Sequence, residues 1–195
     1  MSVLSTLNSQ SNAIIAQTRQ ALVRVHQGER GQGAGTIWDT NGIILTNAHV
    51  VGNGEDISVT LHDGQRHDAQ VMAYDADLDI AALVVDAKEL PTIALGNSRE
   101  LSVGTWVMAI GHPWGVVGAV TSGTVIGSGS FLPEMPKATQ EWIAVGLKMR
   151  PGHSGGALVD GFGRLLGINT MISGPSVGLA IPVHVVKGFL QRSRV

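Results

Sequence analysis

The sequence predicts a mostly-β protein in two strand-rich halves, with a short helix at each end. Three observations lead there. Glycine supplies 26 of the 195 residues and helix-length periodic stretches are few, which favours many short strands joined by turns. The segment from Asp86 to Gly104, broken by Pro91 and Gly96, separates two groups of strands. Hydrophobic residues make up 44% of the chain and charged residues only 14%, so a sizeable core is available and disorder is disfavoured.

The elements follow in order. Residues 5–20 carry apolar Leu7, Ile14 and Ile15 with Ala21 just beyond, and few breakers, so a short helix is expected. Strand candidates of the first half are Ala21–His26, Gly35–Trp38, Ile43–Thr46, Ile57–Leu61, Asp68–Tyr74 and Ala81–Val85. Thr40-Asn41-Gly42 between two apolar runs marks a tight hairpin. This group would form a first barrel. The second half offers Trp106–Ile110, Ala119–Ile126, Trp142–Leu147, Ala157–Val159, Leu165–Thr170 and Gly178–Ile181. Pro182 then stands near the first turn of a helix from Val183 to Gln191, where proline is tolerated. Val185, Val186, Phe189 and Leu190 lie on one side of it. No internal repeat is visible between the halves.

Composition excludes several chemistries. There is no cysteine, hence no disulfide framework, thiol nucleophile or zinc-cysteine site. No His-Glu-x-x-His pattern occurs, and His26, His112 and His184 lack metal-ligand spacing, so no metal or organic cofactor is expected. His62 and His67 flank the turn Asp63–Arg66 and read as solvated. Trp38, Trp106, Trp114 and Trp142 read as core or loop packing. A net charge of −2 gives no reason to expect nucleic acid. No run approaches the ~18 apolar residues that span a bilayer. Met1–Asn12 has neither the basic region nor the apolar core of a secretory signal. The simplest expectation is a cytoplasmic protein, with a periplasmic or secreted one if a signal has been removed.

Chemistry concentrates in three segments. Pro151-Gly152-His153-Ser154-Gly155-Gly156-Ala157 sets one serine in a glycine cradle. Thr46-Asn47-Ala48-His49 places a histidine at the end of an apolar strand, and Asp77-Leu78-Asp79-Ile80 an aspartate at the start of another. A serine hydroxyl attacks a carbonyl only when a base takes its proton, and a carboxylate holds that base in its working tautomer. Ser154 is therefore the candidate nucleophile, His49 the base and Asp79 its orienting partner. The backbone N–H groups of Gly152 and Ser154, flanking His153, would face a developing oxyanion. Each residue alone is more readily a turn or packing residue; the three motifs in the order His, Asp, Ser carry the reading. Gly-x-Ser-x-Gly also occurs in α/β-hydrolases, with Asp160 and His184 following Ser154 as that order needs. That fold requires a helix after the serine, whereas Ala157–Leu166 reads as strand, glycine turn, strand.

These stretches resemble the protease domain of the HtrA/Deg branch of the chymotrypsin-like serine proteases. Gly33–Ile37, Gly42–Val51, Asp77–Ala81, Leu95–Ser98, Val107–Pro113, Pro151–Leu158, Gly167–Thr170 and Gly178–Pro182 match in family order over roughly residues 20–190. The resemblance implies two six-stranded antiparallel β-barrels of the trypsin-like serine protease fold with short N- and C-terminal helices. The expected division is 1–20 for an N-terminal helical segment, 21–100 and 101–182 for the barrels, and 183–195 for a C-terminal helix. It also implies an endopeptidase of protein quality control, cleaving extended or unfolded polypeptides at a cleft between the barrels. A catalytically silent relative that binds extended peptides is the alternative.

Departures from the family pattern matter. His153 stands where the branch usually has Asn and digestive proteases have Asp. A neutral imidazole cannot pair with a freed N-terminus, so activation by zymogen cleavage is not expected. His153 would tie its loop to a carbonyl, or make loop order pH-dependent near its reference pKa of about 6.5. Lys148 falls where trypsin-like enzymes place the residue at the base of the specificity pocket. It would favour an acidic or polar substrate residue there, or, in the preferred reading, turn outward to water. Leu147, Met149 and Ala180 suit a small apolar residue, and Gly178 belongs to the same wall. Thr170, Met171 and Ile172 would pair with the substrate main chain as an added antiparallel strand. Family trimers form through N-terminal segments, so a homotrimer through Met1–Gln20 is possible. No PDZ module follows Val195 in this sequence, so activation through such a module is not assumed.

Overall fold

The structure is a computed structural model of the chain and describes residues 2–28, 30–133 and 140–193. Met1 and residues 194–195 of the expected terminal segments lie outside the described residues. Strands β1 (Leu22–Gln27), β2 (Arg30–Ile37), β3 (Ile43–Thr46), β4 (Ile57–Thr60), β5 (Arg66–Asp75) and β6 (Ile80–Val85) close into a barrel ordered β1-β2-β3-β6-β5-β4. Strands β7 (Trp106–Gly111), β8 (Ala119–Gly129), β9 (Trp142–Gly146), β10 (Ala157–Asp160), β11 (Leu165–Gly174) and β12 (Val177–Pro182) close into a second, ordered β7-β8-β9-β12-β11-β10. Every strand pair is antiparallel. The protein is thus mostly β, two six-stranded barrels flanked by helices α1 (Val3–Gln20) and α3 (Val183–Arg192). The barrels share one strand order, a repeat that sequence alone does not display because only the alternation of apolar residues recurs.

Short-range rules explain the elements. Ser2 opens α1, its hydroxyl accepting the N–H of Ser5. The Asp39 carboxylate accepts the N–H groups of Asn41 and Ile43 (2.9 and 3.1 Å) and closes the β2–β3 turn. Pro182 begins α3 without a side-chain cap. That cap comes from afar, since the Ser98 hydroxyl accepts the N–H of His184 at 3.1 Å. One element differs from expectation. After β3 the chain forms a single helical turn, α2 (Ala48–Val51), so His49 sits on a helix and not at a strand end. Four residues are too few for a helical period to register in the sequence.

Alternation along β7 distributes its side chains between two cores. Val107 and Ala109 fill the second barrel with Val125, Ile143, Val145, Leu158 and Leu166. Met108 and Ile110 join the larger apolar cluster that runs into the first barrel through Leu22, Val25, Ile44 and Leu83. The period of two therefore glues the barrels together as well as filling them.

Two hydrogen bonds stitch the seam beside the serine. The Ala34 N–H donates to the Ser154 carbonyl (2.9 Å). The fully buried Thr36 hydroxyl donates to the Gly155 carbonyl (3.0 Å). Thr36→Val should leave that carbonyl unpaired and cost about 1–3 kcal/mol. Urea unfolding of the two proteins measures it, and an unchanged midpoint and slope would refute the assignment.

Candidate active site

The site is built from both barrels. The first supplies His49 on α2 and Asp79 in the turn before β6. His49 Nδ1 lies 2.9 Å from each carboxylate oxygen of Asp79, and the His49 backbone N–H donates to Asp79 Oδ1 at 3.1 Å. Asp79 holds an unusual backbone for a non-glycine residue, φ +52°. The Asn47 side-chain amide pins it there by donating to the Asp79 carbonyl at 2.9 Å. The Thr170 hydroxyl of the second barrel donates to Asp79 Oδ2. Burial pushes the Asp79 carboxyl up, but the hydrogen bonds from His49 and Thr170 outweigh it and hold the group below the usual carboxylate value. A carboxylate ionised at neutral pH keeps the proton of His49 on Nδ1 and leaves Nε2 free as a base.

The second barrel supplies Ser154 and the turn before it. Arg150–His153 is closed by a bond from the His153 N–H to the Arg150 carbonyl (3.0 Å). Pro151 sits at the second position and Gly152 at the third with φ +101°, the residue pattern of a type II turn. A side chain on Gly152 would also meet the His112 carbonyl and Pro113 Cα at 2.6 Å. The Gly152 carbonyl is taken up by the His112 N–H (2.8 Å). Among the described residues, neither the Gly152 nor the Ser154 N–H finds an acceptor. Two unpaired amides, one residue apart and next to a hydroxyl, form a ready site for an oxyanion.

His153 latches the turn. It is 3% exposed, with Nδ1 3.1 Å from the carbonyl oxygen and 3.2 Å from the nitrogen of Arg150. Nε2 is buried without a partner, so the neutral ring with its proton on Nδ1, donating to the Arg150 carbonyl, leaves no ring N–H unsatisfied. Burial lowers its pKa; the Arg150 carbonyl opposes this and the Arg150 charge adds to it. His112 packs alongside, its Nδ1 accepting the N–H of Gly118 (3.0 Å).

Ser154, His49 and Thr170 line one cavity of about 280 Å³ with Met149, Arg150, Pro151, His153, Met171 and Ile172. The Ser154 hydroxyl donates to the Thr170 carbonyl at 2.8 Å and, among the described residues, makes no bond to His49. Reaching His49 requires it to swing, and catalytic hydrogen bonds commonly tighten only with substrate in place. Leu147 (4% exposed) and Met149 (5%), which also reaches that cavity, are buried in the second barrel's core with Ala180. A side chain on Gly178 would meet Met149 Cε at 2.3 Å, so the thioether fills the space behind the cleft. Lys148 is exposed and lines no part of that cavity. Alternation about buried Leu147 and Met149 turns it outward.

Sequence reasoning missed three contributors: Asn47, the hydroxyl of Thr170 and the backbone of His112. Asn47 lay inside a recognised motif, but only contacts across long sequence separation assign these roles. Asp160 and His184 do not approach Ser154. Asp160 pairs with Arg164 (2.8 Å), and His184 bridges Ser98 (2.9 Å) and Glu141 (3.0 Å). Ser154 is followed by β10 and not by a helix, which removes the α/β-hydrolase order. Among the described residues, no group of His, Asp and Glu is disposed to hold a metal, and no helix is long and apolar enough to cross a membrane.

Comparison with known proteins agrees with this geometry. The family model for the trypsin-like peptidase domain matches residues 33–168. Protease Do-like 1, chloroplastic, of Arabidopsis thaliana is 39% identical over 172 residues, covering 84% of this chain and 39% of its own length. A probable periplasmic serine endoprotease, DegP-like, of Halomonas elongata is 42% identical over 161 residues, covering 80% of this chain and 34% of its own. The structure of the HtrA-type protease AlgW with a decapeptide superposes with a TM-score of 0.85 at 28% identity, over 94% of this chain and 67% of that one. The chain thus spans about two fifths or less of the length of these curated relatives. Their names place them in the chloroplast and the periplasm, which overturns the cytoplasmic expectation. That expectation rested on residues 1–12 lacking a leader pattern, and a chain shorter than its relatives is silent on leaders.

Two measurements test the oxyanion turn. Gly152→Ala should lower the rate of serine labelling by a fluorophosphonate at least about a hundredfold, as expected for loss of one oxyanion donor. A labelling rate near that of the wild type would refute the turn's role. His153 favours its neutral form in the folded protein, so its contribution is complete above about pH 6.5 and is lost as pH falls through the lowered folded value. The pH profile of labelling should therefore show an acid-side loss that His153→Asn lacks; identical profiles would refute the latch.

Proposed function

Since the chain belongs to the trypsin-like peptidase domain family and is of its HtrA/DegP type, we propose that it is a serine endopeptidase acting through Ser154, His49 and Asp79. Its substrates are extended or unfolded polypeptides. The observation that supports this most directly is the pair of unpaired amides at Gly152 and Ser154 beside the serine hydroxyl. The His49–Asp79 pair opens on the same cleft.

The reaction runs in two halves. Ser154 Oγ leaves the Thr170 carbonyl, passes its proton to His49 Nε2 and bonds to the scissile carbonyl carbon. The carbonyl oxygen becomes an oxyanion held by the Gly152 and Ser154 amides. Asp79 stabilises the imidazolium through Nδ1. The carbon–nitrogen bond then breaks, His49 gives its proton to the leaving amine, and an acyl-serine remains. Water activated by His49 releases the acyl group by the same steps in reverse.

Substrate is held through its main chain. Strand β10 pairs with β11 only as far as Ile168, and beyond it β11 continues to Gly174 with β12 as its strand partner. The edge from Thr170 to Ile172 therefore has room for an added antiparallel strand, a mode that tolerates many side chains but requires an extended chain. Buried Met149 and Leu147 favour a small apolar residue before the scissile bond. A homotrimer through α1 is part of this reading, supported by the exposure of Val3 (84%), Leu4 (71%) and Leu7 (46%). Light scattering of the chain with and without residues 1–20 tests it.

Intact mass after treatment with a fluorophosphonate tests the chemistry. One adduct is expected on the wild type and none on Ser154→Ala, with cleavage of a denatured protein lost in the same variant. Binding of the denatured protein without adduct or cleavage would instead favour a silent peptide-binding relative.

A further inference from the structure

One cleft takes no part in the chemistry above. A cavity of about 330 Å³ lies on the other side of the oxyanion turn, its lining including Arg24, Gly33, His112, Trp114, Pro151 and Gly152. Pro151 belongs to the walls of both cavities, so the turn is the partition between them. We propose that this second cavity is the leaving-group subsite and that it selects a carboxylate there, with Arg24 as its anchor. The inference rests on the endopeptidase reading and adds a substrate class to it.

Direction comes first. A substrate strand antiparallel to β11 has its N-terminal residues toward Gly174 and its C-terminal residues toward Thr170. Its acyl portion then occupies the edge Thr170–Ile172. Past the scissile bond at Ser154 the chain has left that edge and meets the far side of the oxyanion turn. The leaving-group residues therefore enter the cavity between β1–β2 of the first barrel and the His112–Trp114 segment of the second.

Charge comes second. Arg24 is only partly exposed and, among the described residues, joins no ion pair. Among the described residues, no acidic side chain lines the cavity. Arg150 stands near its mouth, its guanidinium 5.0 Å from the centre of the Trp114 ring. Arg19 reaches over Gly118 from α1 and donates to the Val117 carbonyl (2.6 Å). His112, within this group, is held neutral: burial foremost, and then the Arg24 charge, lower its pKa to about 4. Cations thus meet at one side of the leaving group without a carboxylate among the described lining residues. A partly desolvated guanidinium without a counter-ion is unfavourable until a carboxylate pairs with its planar fork.

Shape comes third. Trp114 keeps a positive φ of +52°, costly for a bulky residue, while the residue is 71% exposed. The fold spends that strain on a ring that packs on Arg150 and walls the cavity, which is the behaviour of a ligand clamp more than of a core residue. The carboxylate can come from an acidic side chain just after the scissile bond or from the C-terminus of a substrate cut near its end.

Fluorescence-quenched peptides separate these sources. In one series, amidated at the C-terminus, Ala, Asp or Lys is placed in turn at the first three positions after the scissile bond. In the other, peptides ending at those positions are compared as free acids and amides. At one position Asp, or the free acid, should raise kcat/KM about tenfold over the neutral peptide, the worth of one charge-assisted bond. Arg24→Gln should bring that ratio near one, and Arg24→Glu should turn the preference toward Lys. Ratios within each variant do not depend on how much of it folds, and fluorophosphonate labelling reports its assembled site. Equal kcat/KM for all peptides in a cleaving wild type would overturn the subsite and leave the endopeptidase standing. A preference that persists in Arg24→Gln would overturn the anchor. Absence of both cleavage and labelling in the wild type would overturn the endopeptidase reading and this inference with it.

Discussion

The site depends on the seam between the barrels. His49 and Asp79 belong to one barrel, and Ser154 with its oxyanion turn to the other. Their spacing is set where the Ala34 N–H and the Thr36 hydroxyl take the carbonyls of Ser154 and Gly155. Glycine is required at 155 for that approach, since φ is +80° and a side chain would meet the Ala34 carbonyl at 1.9 Å. The Thr46 hydroxyl donates to the same carbonyl (2.8 Å), tying the strand before α2 to the seam. Ser154 is thus registered against the barrel that carries His49 and Asp79. The shared apolar cluster supplies cohesion and these bonds supply register, because hydrophobic burial is not directional and hydrogen bonds are.

Thr170 extends that register into the catalytic groups. Its hydroxyl orients Asp79 and its carbonyl holds the resting Ser154 hydroxyl. One residue at the start of the open β11 edge therefore touches both the Asp79 carboxylate and the Ser154 hydroxyl. In the proposed reaction, a substrate strand seated there would compete for the carbonyl that Ser154 occupies, which would couple binding to release of the hydroxyl. The oxyanion turn is fixed separately, by the Pro151–Gly152 dihedrals, the His112 tether and the His153 latch. A buried neutral imidazole orders this loop by hydrogen bonding, where an acidic residue would need a buried positive charge to pair with.

The sequence by itself determined the strands, the hairpin turns and the three motifs that carry His49, Asp79 and Ser154, the residues of the proposed reaction. Alternation, Asn-Gly and Pro-Gly turns, and the motifs around His49, Asp79 and Ser154 are local signals, set by backbone dihedrals and by which face of a strand is apolar. Only the tertiary structure decided the rest. It put His49 on a helical turn, turned Lys148 to solvent, filled the space behind Gly178 with Met149, and brought the hydroxyl of Thr170 to Asp79. It also set Arg24 beside Trp114 and Gly152. These groups are distant in sequence, and barrel closure with packing of one barrel on the other, not local propensity, fixes how far apart they finish.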